Sequence, residues 1–203
     1  MMNRIWLASR SPRRGELLAQ IGVAFDLLRL READGRPADV VEVAHDREPP
    51  LHYVERIART KAQAGWRSVE ARKLEPRPVL GADTEVVLDG EIFGKPADAE
   101  AARAMLARLA GRRHEVATAV AIKWNDDVHF ALSLSTVEIA KLSRAAIDAY
   151  VASGEPFGKA GGYGIQGRAA AFVTRIEGSY SGVMGLPLAE TARLLGQAGF
   201  PVP

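Results

Sequence analysis

One acidic side chain stands inside an apolar stretch, where a carboxylate needs a specific reason to be. Asp83 lies within residues 79–88, whose pattern predicts a β-strand that ends in an Asp89-Gly90 hairpin turn. A carboxylate buried in such a strand is costly unless it is paired or bound to a metal. Asp83 is therefore a candidate for binding a divalent cation or for activating water. The alternative is an edge strand whose acidic residues are solvated.

Basic residues follow the first predicted strand, at the point where a helix begins. Residues 5–8 form the strand, Ser11 is the expected N-cap and Pro12 the first helical residue. The N–H groups at such a helix start form an anion site. Because cations there oppose the helix dipole, Arg13 and Arg14 are expected to hold phosphate oxygens. The alternative is a capped surface helix with solvated arginines.

A hairpin and a glycine-rich loop supply further polar groups. Lys95 follows the predicted hairpin, which brings its ammonium group near Asp83 as a cation for phosphate. Residues 158–167 contain five glycines, which let the backbone approach a ligand closely. Within this loop Lys159 adds charge, and the Gln166 amide can donate to and accept from a pyrimidine base. The spacing matches neither a Walker A loop nor a dinucleotide fingerprint. The alternative is a flexible surface loop.

The elements that must position these residues are strands and helices that alternate along the chain, with hairpins among them. This combination predicts the fold class α/β (mixed α+β), with a mixed β-sheet flanked by helices. The further predicted strands are residues 25–30, 91–93, 115–124, 128–139 and 171–176. The further predicted helices run from Tyr53 towards Trp66, from Asp98 to Gly111, over residues 144–152 and over residues 188–197.

Local signals within these elements give more specific expectations. Asp98 and Ser143 are expected N-caps. The third helix is expected to turn three residues towards the core, namely Ala101, Met105 and Leu109. Residues 31–50, 154–167 and 178–187 are expected to be loops because they are rich in polar residues, glycine or proline.

Composition limits the classes of protein to consider. The 203 residues are 47% apolar and 26% charged, which is typical of a globular chain and predicts a single domain over residues 1–203. The chain has no cysteine, and its N-terminal apolar run is too short for a signal peptide or a membrane span, so we expect a cytoplasmic protein. A net charge of +2 and 6% aromatic residues give little sign of a nucleic-acid partner. The four histidines lack metal-ligand spacing and are taken as surface or strand residues.

Together these segments resemble the Maf family of nucleotide pyrophosphatases, with a likeness that runs from Leu7 to about Phe200. The strings that carry it are Leu7-Ala8-Ser9, Ser11-Pro12-Arg13-Arg14, Gly81-Ala82-Asp83-Thr84, Gly94-Lys95-Pro96, residues 159–167 and Gly185-Leu186-Pro187. The resemblance implies an elongated mixed sheet, two lobes around a central cleft in the Maf/ITPase-like manner, and frequent homodimers. It also implies Mg²⁺ or Mn²⁺ dependence and cleavage between the α- and β-phosphates.

The resemblance also implies a role for individual residues. Asp83 matches the family's catalytic aspartate, the base that activates water, and Glu42 matches an acidic residue that would share the metal with it. Alone, Glu42 and Lys61 would pass as solvated charges. The positions tied to substrate choice are Arg13, Thr84 and Gln166. The positions expected to bind phosphate are Ser9, Arg13, Arg14, Lys61, Lys95 and Lys159.

Two of the strings are similar to the subgroup that acts on dTTP and UTP, namely Gly81-Ala82-Asp83-Thr84 and Gly164-Ile165-Gln166-Gly167. Hydrolysis of these nucleotides to the monophosphate and pyrophosphate is therefore the expected function. One alternative is a 7-methyl-GTP pyrophosphatase of the same family. Another is a non-catalytic, nucleotide-binding regulator of septum formation. The chain departs from the family at Glu85, where an apolar residue is usual, and at Val41-Glu42, where Asp-Glu is common.

Overall fold

Seven β-strands form one mixed sheet in the part of the chain that the computed structural model describes, residues 4–31 and 37–202. They are β1 (Arg4–Leu7), β2 (Ala24–Leu27), β3 (Val79–Leu88), β4 (Glu91–Phe93), β5 (Arg113–Trp124), β6 (Asp127–Ile139) and β7 (Val173–Glu177). Their order is β2-β1-β3-β5-β6-β7, and β4 pairs with β3. Strand β1 is parallel to β2 and β3, whereas β4 is antiparallel to β3 and β7 to β6. The predicted mixed sheet is confirmed.

Helices connect these strands, as the α/β (mixed α+β) prediction requires. They are α1 (Pro12–Gln20), α2 (Pro50–Ala71), α3 (Ala99–Leu109), α4 (Arg144–Ala152), α5 (Tyr180–Met184) and α6 (Leu188–Gln197). Helix α2 begins three residues earlier than its apolar face predicted, because Pro50 suits the first helical position. Across the described ranges, no helix has both the length and the apolar composition that a bilayer crossing requires.

The described residues group into two compact units. The first contains those of Met1–Asp83, Thr118–Ser133 and Gly185–Pro203, and the second contains Thr84–Ala117 and Leu134–Met184. The unit boundaries fall within β3, β5 and β6, so these three strands contribute residues to both units. The single domain, the elongated shape and the central cleft stay predictions. Residues 32–36 of the predicted 31–50 loop lie outside the described residues.

The first unit is built around the short strand β1, which is apolar after Arg4. Ile5 and Leu7 are at most 1% exposed, since β1 is paired on both edges. Leu18 of α1 and Ile57 of α2 are likewise buried. Strand β2 ends at Leu27, three residues before the predicted end, and Leu28 turns into the cluster that also contains Val79. This core fixes α1 and α2 relative to β1 and β3.

In the second unit, both predicted N-caps are confirmed, and the inward face of α3 was predicted correctly in part. The carboxylate of Asp98 accepts a hydrogen bond from Ala101 N at 2.8 Å, and Ser143 Oγ accepts one from Ala146 N at 3.2 Å. The buried residues of α3 are Ala102, Leu106 and Leu109, so Leu109 is confirmed. Met105 is partly buried and packs against the core, whereas Ala102 rather than Ala101 is buried. A spacing of four residues drifts by roughly 40° per step around a helix, whereas alternating three and four stays on one face.

A short helix occupies a segment that was expected to be a loop. Residues 178–187 contain α5, whose start is capped by Ser179, because Ser179 Oγ accepts a hydrogen bond from Gly182 N at 3.0 Å. The glycines at 178, 182 and 185 have low helix propensity and concealed this helix in the sequence.

The second unit also buries a polar pair that the sequence did not indicate. His114 on β5 is 3% exposed, and its Nε2 lies 2.7 Å from the hydroxyl of Tyr163. The two rings pack edge to face with centroids 5.5 Å apart. Burial lowers the pKa of His114 to about 4. The imidazole is therefore neutral near pH 7, and the unfolded chain binds a proton there more readily than the folded one.

We predict that His114 makes the protein sensitive to mild acid. Because its pKa is lower in the folded state than the usual 6.5, its contribution is full above pH 6.5 and is lost as the pH falls towards 4. Between pH 7 and pH 5, the free energy of unfolding measured with urea should fall by about 2 kcal/mol more in the parent than in His114→Gln. His52→Gln, a control at an exposed histidine, should lose as much stability between pH 7 and pH 5 as the parent does. Equal acid destabilisation in parent and His114→Gln would contradict this origin.

Candidate active site

Helix α2 lies against strand β3 at Gly81, where there is no room for a side chain. A Cβ atom on Gly81 would lie 2.5 Å from Ala62 N and 2.6 Å from Ala58 O. Further along the helix, a Cβ on Gly65 would lie 2.6 Å from Val79 Cγ1. Glycine at both positions therefore allows the helix backbone to approach the strand. The approach brings Lys61 of α2 over the strand, next to Asp83.

The ammonium group of Lys61 bridges two carboxylates. Its Nζ lies 2.8 Å from Asp83 Oδ1 and 2.9 Å from Glu42 Oε1. The Lys61 side chain is 12% exposed and that of Asp83 is 8% exposed. The solvated-charge interpretation of Lys61 is therefore wrong. The edge-strand interpretation of Asp83 is wrong as well, because β3 lies between β1 and β5.

The second oxygen of Asp83 has a different environment. Asp83 Oδ2 is buried and has no hydrogen-bond partner among the described residues. A buried acceptor left without a donor is costly, and native structures contain few of them. Asp83 thus has one oxygen fixed by Lys61 and one oxygen that a ligand, a water molecule or a cation can use.

Arginine contacts hold the segment that carries Glu42. Arg56 of α2 donates to both carboxylate oxygens of Glu48 at 2.7 Å and to Val43 O at 2.9 Å. The hydrogen bonds from Arg56 hold the pKa of Glu48 down to about 2. The residue next to Glu42 is therefore tied to the same helix that carries Lys61. This tie explains how Glu42, which lies in an exposed loop, comes within ion-pair distance of the Lys61 ammonium group.

The pair Glu42 and Asp83 fits a metal that is bound only partly by protein. No group of three or more His, Cys, Asp or Glu side chains is arranged to hold a metal within residues 4–31 and 37–202. Mg²⁺ in phosphate-transfer sites commonly uses one or two carboxylates and takes its other ligands from phosphates and water. Two carboxylates with one unpartnered, buried oxygen match that donor set. They do not match a metal site built from protein alone.

At the start of α1, Ser9 and Arg14 are joined to each other. Ser9 Oγ accepts hydrogen bonds from Ser11 N and from Arg14 Nη1, both at 3.1 Å. Arg14 is 8% exposed, and its Nε donates to Gly185 O at 2.8 Å. Ser11 occupies the N-cap position, but its side chain makes no capping bond. Arg14 therefore ties the β1–α1 turn to the segment that precedes α6.

Arg13 has a different environment from its neighbour. It is half-buried, and no described residue forms a hydrogen bond or an ion pair with its guanidinium group. Burial lowers its pKa, and the charge of Glu16 opposes that effect. Arginine stays protonated in proteins, so a half-buried positive charge remains without an ion pair among the described residues. The predicted solvated arginine is thus neither fully solvated nor paired.

In the second unit, two predicted side chains meet at the glycine-rich loop. A Cβ atom on Gly164 would lie 3.0 Å from Lys159 Cδ and Cε and 3.4 Å from Gln166 Oε1. Lys159 Nζ donates to the main-chain carbonyl of Glu155, and Gln166 is exposed. The residues from Gly161 to Ile165 are buried, so the segment is a packed loop and the flexible-loop interpretation is wrong.

The hairpin of β3 and β4 is also connected to this loop. Gly161 N donates to Gly94 O at 3.1 Å, which places the residue before Lys95 beside the glycine-rich segment. Lys95 is exposed, and no described residue pairs with its ammonium group. Thr84 is half-buried at the start of the second unit.

The structure thus forms three groups from the predicted site residues. Glu42, Lys61 and Asp83 make one, Ser9 and Arg14 another, and Lys159 and Gln166 the third. Convergence of all three on one ligand stays a prediction. Sequence reasoning missed the carbonyl of Gly185 and the side chain of Glu155, which anchor Arg14 and the glycine-rich loop. The sequence marked Gly185 only as part of a glycine-rich segment and a family string, and Glu155 carries no periodic or compositional signal.

Known proteins resemble the chain over nearly all its length. A family model described as Maf-like protein matches residues 4–198. A dTTP/UTP pyrophosphatase of Ralstonia nicotianae is 56% identical over 196 residues, which are 96% of this chain and 93% of the relative. Proteins of that name from Aromatoleum aromaticum and Nitrosomonas europaea are 54% and 52% identical over 200 residues, 98% of this chain and 97% of each relative. The alignment with the solved structure of the Staphylococcus aureus Ham1 protein covers 68% of this chain and 72% of the Ham1 chain. Its TM-score is 0.41 and the sequence identity is 15%.

We predict that Gly81→Ala destabilises the first unit and disturbs the Lys61–Asp83 ion pair. The added methyl group would overlap the backbone of α2, and backbone cannot move aside as a flexible side chain can. Overpacking of this kind costs about 1–3 kcal/mol, measurable by urea unfolding.

Gly196→Ala is the matched control for this substitution. A Cβ on Gly196 meets nothing within 4 Å, and the residue lies in helix α6. Alanine there should stabilise the protein by about 0.5–1 kcal/mol. Two substitutions with the same chemistry should therefore shift stability in opposite directions. Equal stability of Gly81→Ala and the parent would show that α2 does not need this contact.

Proposed function

The chain belongs to the Maf family, and on that premise we propose that it hydrolyses dTTP and UTP to the nucleoside monophosphate and pyrophosphate. The names of three bacterial relatives with 52–56% identity support this substrate class. The observation that carries the proposal is the arrangement of Asp83, with one oxygen held by Lys61 and a second, buried oxygen without a partner among the described residues.

In the proposed mechanism, Asp83 is the general base. Lys61 fixes the carboxylate through Oδ1, so that Oδ2 is left to accept a proton from water. The resulting hydroxide attacks the α-phosphorus in line with the bond to the bridging oxygen. That bond breaks, and pyrophosphate leaves with the bridging oxygen.

Basic side chains offset the charge on the triphosphate. Arg13 and Lys95 are the cations best suited to this role, because neither forms an ion pair with a described residue. Lys61 can orient both the base and a phosphate oxygen. Lys159 and Arg14 also carry charge, although each already donates to a main-chain carbonyl.

A divalent cation belongs to this proposal as well. Glu42 and Asp83 would hold Mg²⁺ or Mn²⁺, with the substrate's phosphates and water completing its ligands. The metal would supply further positive charge against the phosphate oxygens. For substrate choice, we assign Arg13, Thr84 and Gln166, of which Gln166 has the amide that matches a base edge. The homodimer, the cytoplasmic location and the lack of a nucleic-acid partner stay predictions.

We predict that the purified protein releases pyrophosphate from dTTP and UTP faster than from other triphosphates. The panel should contain dTTP, UTP, CTP, GTP and 7-methyl-GTP with Mg²⁺ or Mn²⁺, and the readout is pyrophosphate together with the monophosphate. Faster turnover of 7-methyl-GTP would favour the alternative substrate within the family. Nucleotide binding without any pyrophosphate release would favour a non-catalytic regulator and contradict the proposed function.

We also predict that Asp83→Asn lowers kcat for UTP by about 10²–10³-fold or more, because loss of one preorganised catalytic contact costs that much. The amide keeps an oxygen for Lys61 but cannot act as the base. Asp126→Asn, which makes the same change at an exposed turn residue, should keep parental kcat and stability. Circular dichroism and thermal unfolding establish that Asp83→Asn is folded. A folded Asp83→Asn protein with most of its turnover would remove Asp83 from this role.

A further inference from the structure

Glu155 contacts the glycine-rich loop at both ends. Its Oε2 accepts a hydrogen bond from Arg168 N at 3.1 Å, just after the loop, and its carbonyl accepts one from Lys159 Nζ near the start of the loop. Its Oε1 accepts a hydrogen bond from the hydroxyl of Tyr150 at 3.2 Å. The Glu155 side chain therefore holds the backbone just after the segment that carries Gln166, and its main-chain carbonyl holds Lys159 near the start of that segment.

The loop backbone is packed directly against this carboxylate at Gly167. A Cβ atom there would lie 2.1 Å from Glu155 Oε1 and 2.6 Å from Glu155 Cδ. Gly167 has a φ of −109°, which any residue can adopt, and the place of a Cβ is taken by the end of the flexible Glu155 side chain. The backbone that immediately follows Gln166 thus rests on the Glu155 side chain.

A second anchor lies on the other side of Gln166. Tyr163 is 6% exposed, and its hydroxyl meets His114 Nε2 at 2.7 Å. Burial raises the pKa of Tyr163, as it does that of Tyr150, so both hydroxyls stay protonated and available as donors. Gln166 is therefore an exposed residue on a short segment that is fixed before it by Tyr163 and after it by Glu155.

We propose that Glu155 is a positioning residue for base recognition: it holds the loop so that the Gln166 amide meets the pyrimidine in one orientation. This inference rests on the proposed function. Uracil presents an N3–H donor beside the O4 acceptor, whereas cytosine presents an N3 acceptor beside an N4–H₂ donor. An amide that rotates by 180° exchanges its own donor and acceptor and fits either base. Discrimination between UTP and CTP therefore requires a glutamine that is held in place.

The test compares kcat/KM for UTP and CTP in single and double variants. Glu155→Ala and Gln166→Leu should each lower the UTP-to-CTP ratio by about tenfold, the effect of one well-placed hydrogen bond. The double variant should lose no more discrimination than Gln166→Leu alone, because both changes act through the same amide. Glu155→Gln keeps one acceptor oxygen and should give an intermediate ratio.

Two further variants separate positioning from general stability. Glu115→Ala removes an exposed carboxylate of the same unit and should leave both the ratio and hydrogen exchange in residues 158–168 unchanged. Gly167→Ala keeps Glu155 but displaces its carboxylate, so it should lower the ratio and speed exchange in that segment. If Glu155→Ala does not fold, the UTP-to-CTP ratio and hydrogen exchange of Gly167→Ala and Glu155→Gln test the inference instead.

Three results would overturn the inference. The first is a folded Glu155→Ala protein with lower thermal stability but an unchanged UTP-to-CTP ratio. The second is multiplicative loss of discrimination in the double variant, which would mean that Glu155 acts independently of Gln166. The third is parental hydrogen exchange in the loop of Gly167→Ala and Glu155→Gln. Failure of the parent protein to release pyrophosphate from UTP would count against the proposed function, whereas the exchange measurements would still report on the Glu155 anchor.

Discussion

The burial of Asp83 on a central strand is the constraint on which the candidate site depends. A carboxylate in that position needs a cation, and the cation has to come from the element packed against the strand. Lys61 meets that need only because α2 approaches β3 closely at Gly81, where any side chain would meet the helix backbone. Removing either partner of such a buried pair is far more costly than replacing both. The geometry of the candidate site and the packing of the first unit are therefore one requirement.

Glycine has a similar role in the second unit. A glycine-rich loop is commonly taken as a flexible one, but here the glycines let other groups come close. Gly164 makes room for the side chains of Lys159 and Gln166, and Gly167 makes room for the carboxylate of Glu155. The result is a segment with a buried centre and an exposed glutamine. Close approach of neighbouring side chains accounts for Gly164 and Gly167, whereas Gly158, Gly161 and Gly162 have a positive φ that favours glycine.

The sequence predicted those features that depend on local chemistry. The hairpin of β3 and β4 agrees with its apolar pattern and its Asp89-Gly90 turn, and the caps at Asp98 and Ser143 follow from side chains that bond to backbone three residues away.

The sequence did not predict the features that depend on contacts between residues far apart in the chain. The sequence could not show that α2 packs on β3 and thereby buries Lys61. Nothing near Arg14 in the sequence indicates that the acceptor of its hydrogen bond lies 171 residues away. The helix α5 was missed because its glycines disfavour helix while its cap and its packing favour it. The sequence therefore predicted the residue types of the candidate site but not which of those residues are in contact.

Charge balance in the first unit explains why a cation is expected beside the substrate. Glu42, Lys61 and Asp83 form a partly buried group with two negative charges and one positive charge, so the group is negative overall. A triphosphate is itself a polyanion and would be repelled by such a group at short distance, since screening by salt is weak away from bulk water. Lys61 cannot remove this repulsion, because it is already shared by two carboxylates. Arg13 supplies one unpaired positive charge in the same unit, which is less than a triphosphate carries. Under the proposed function, a divalent cation bound with the phosphates would offset this repulsion. Under the proposed function, a metal–nucleotide complex would therefore fit the candidate site better than the nucleotide alone.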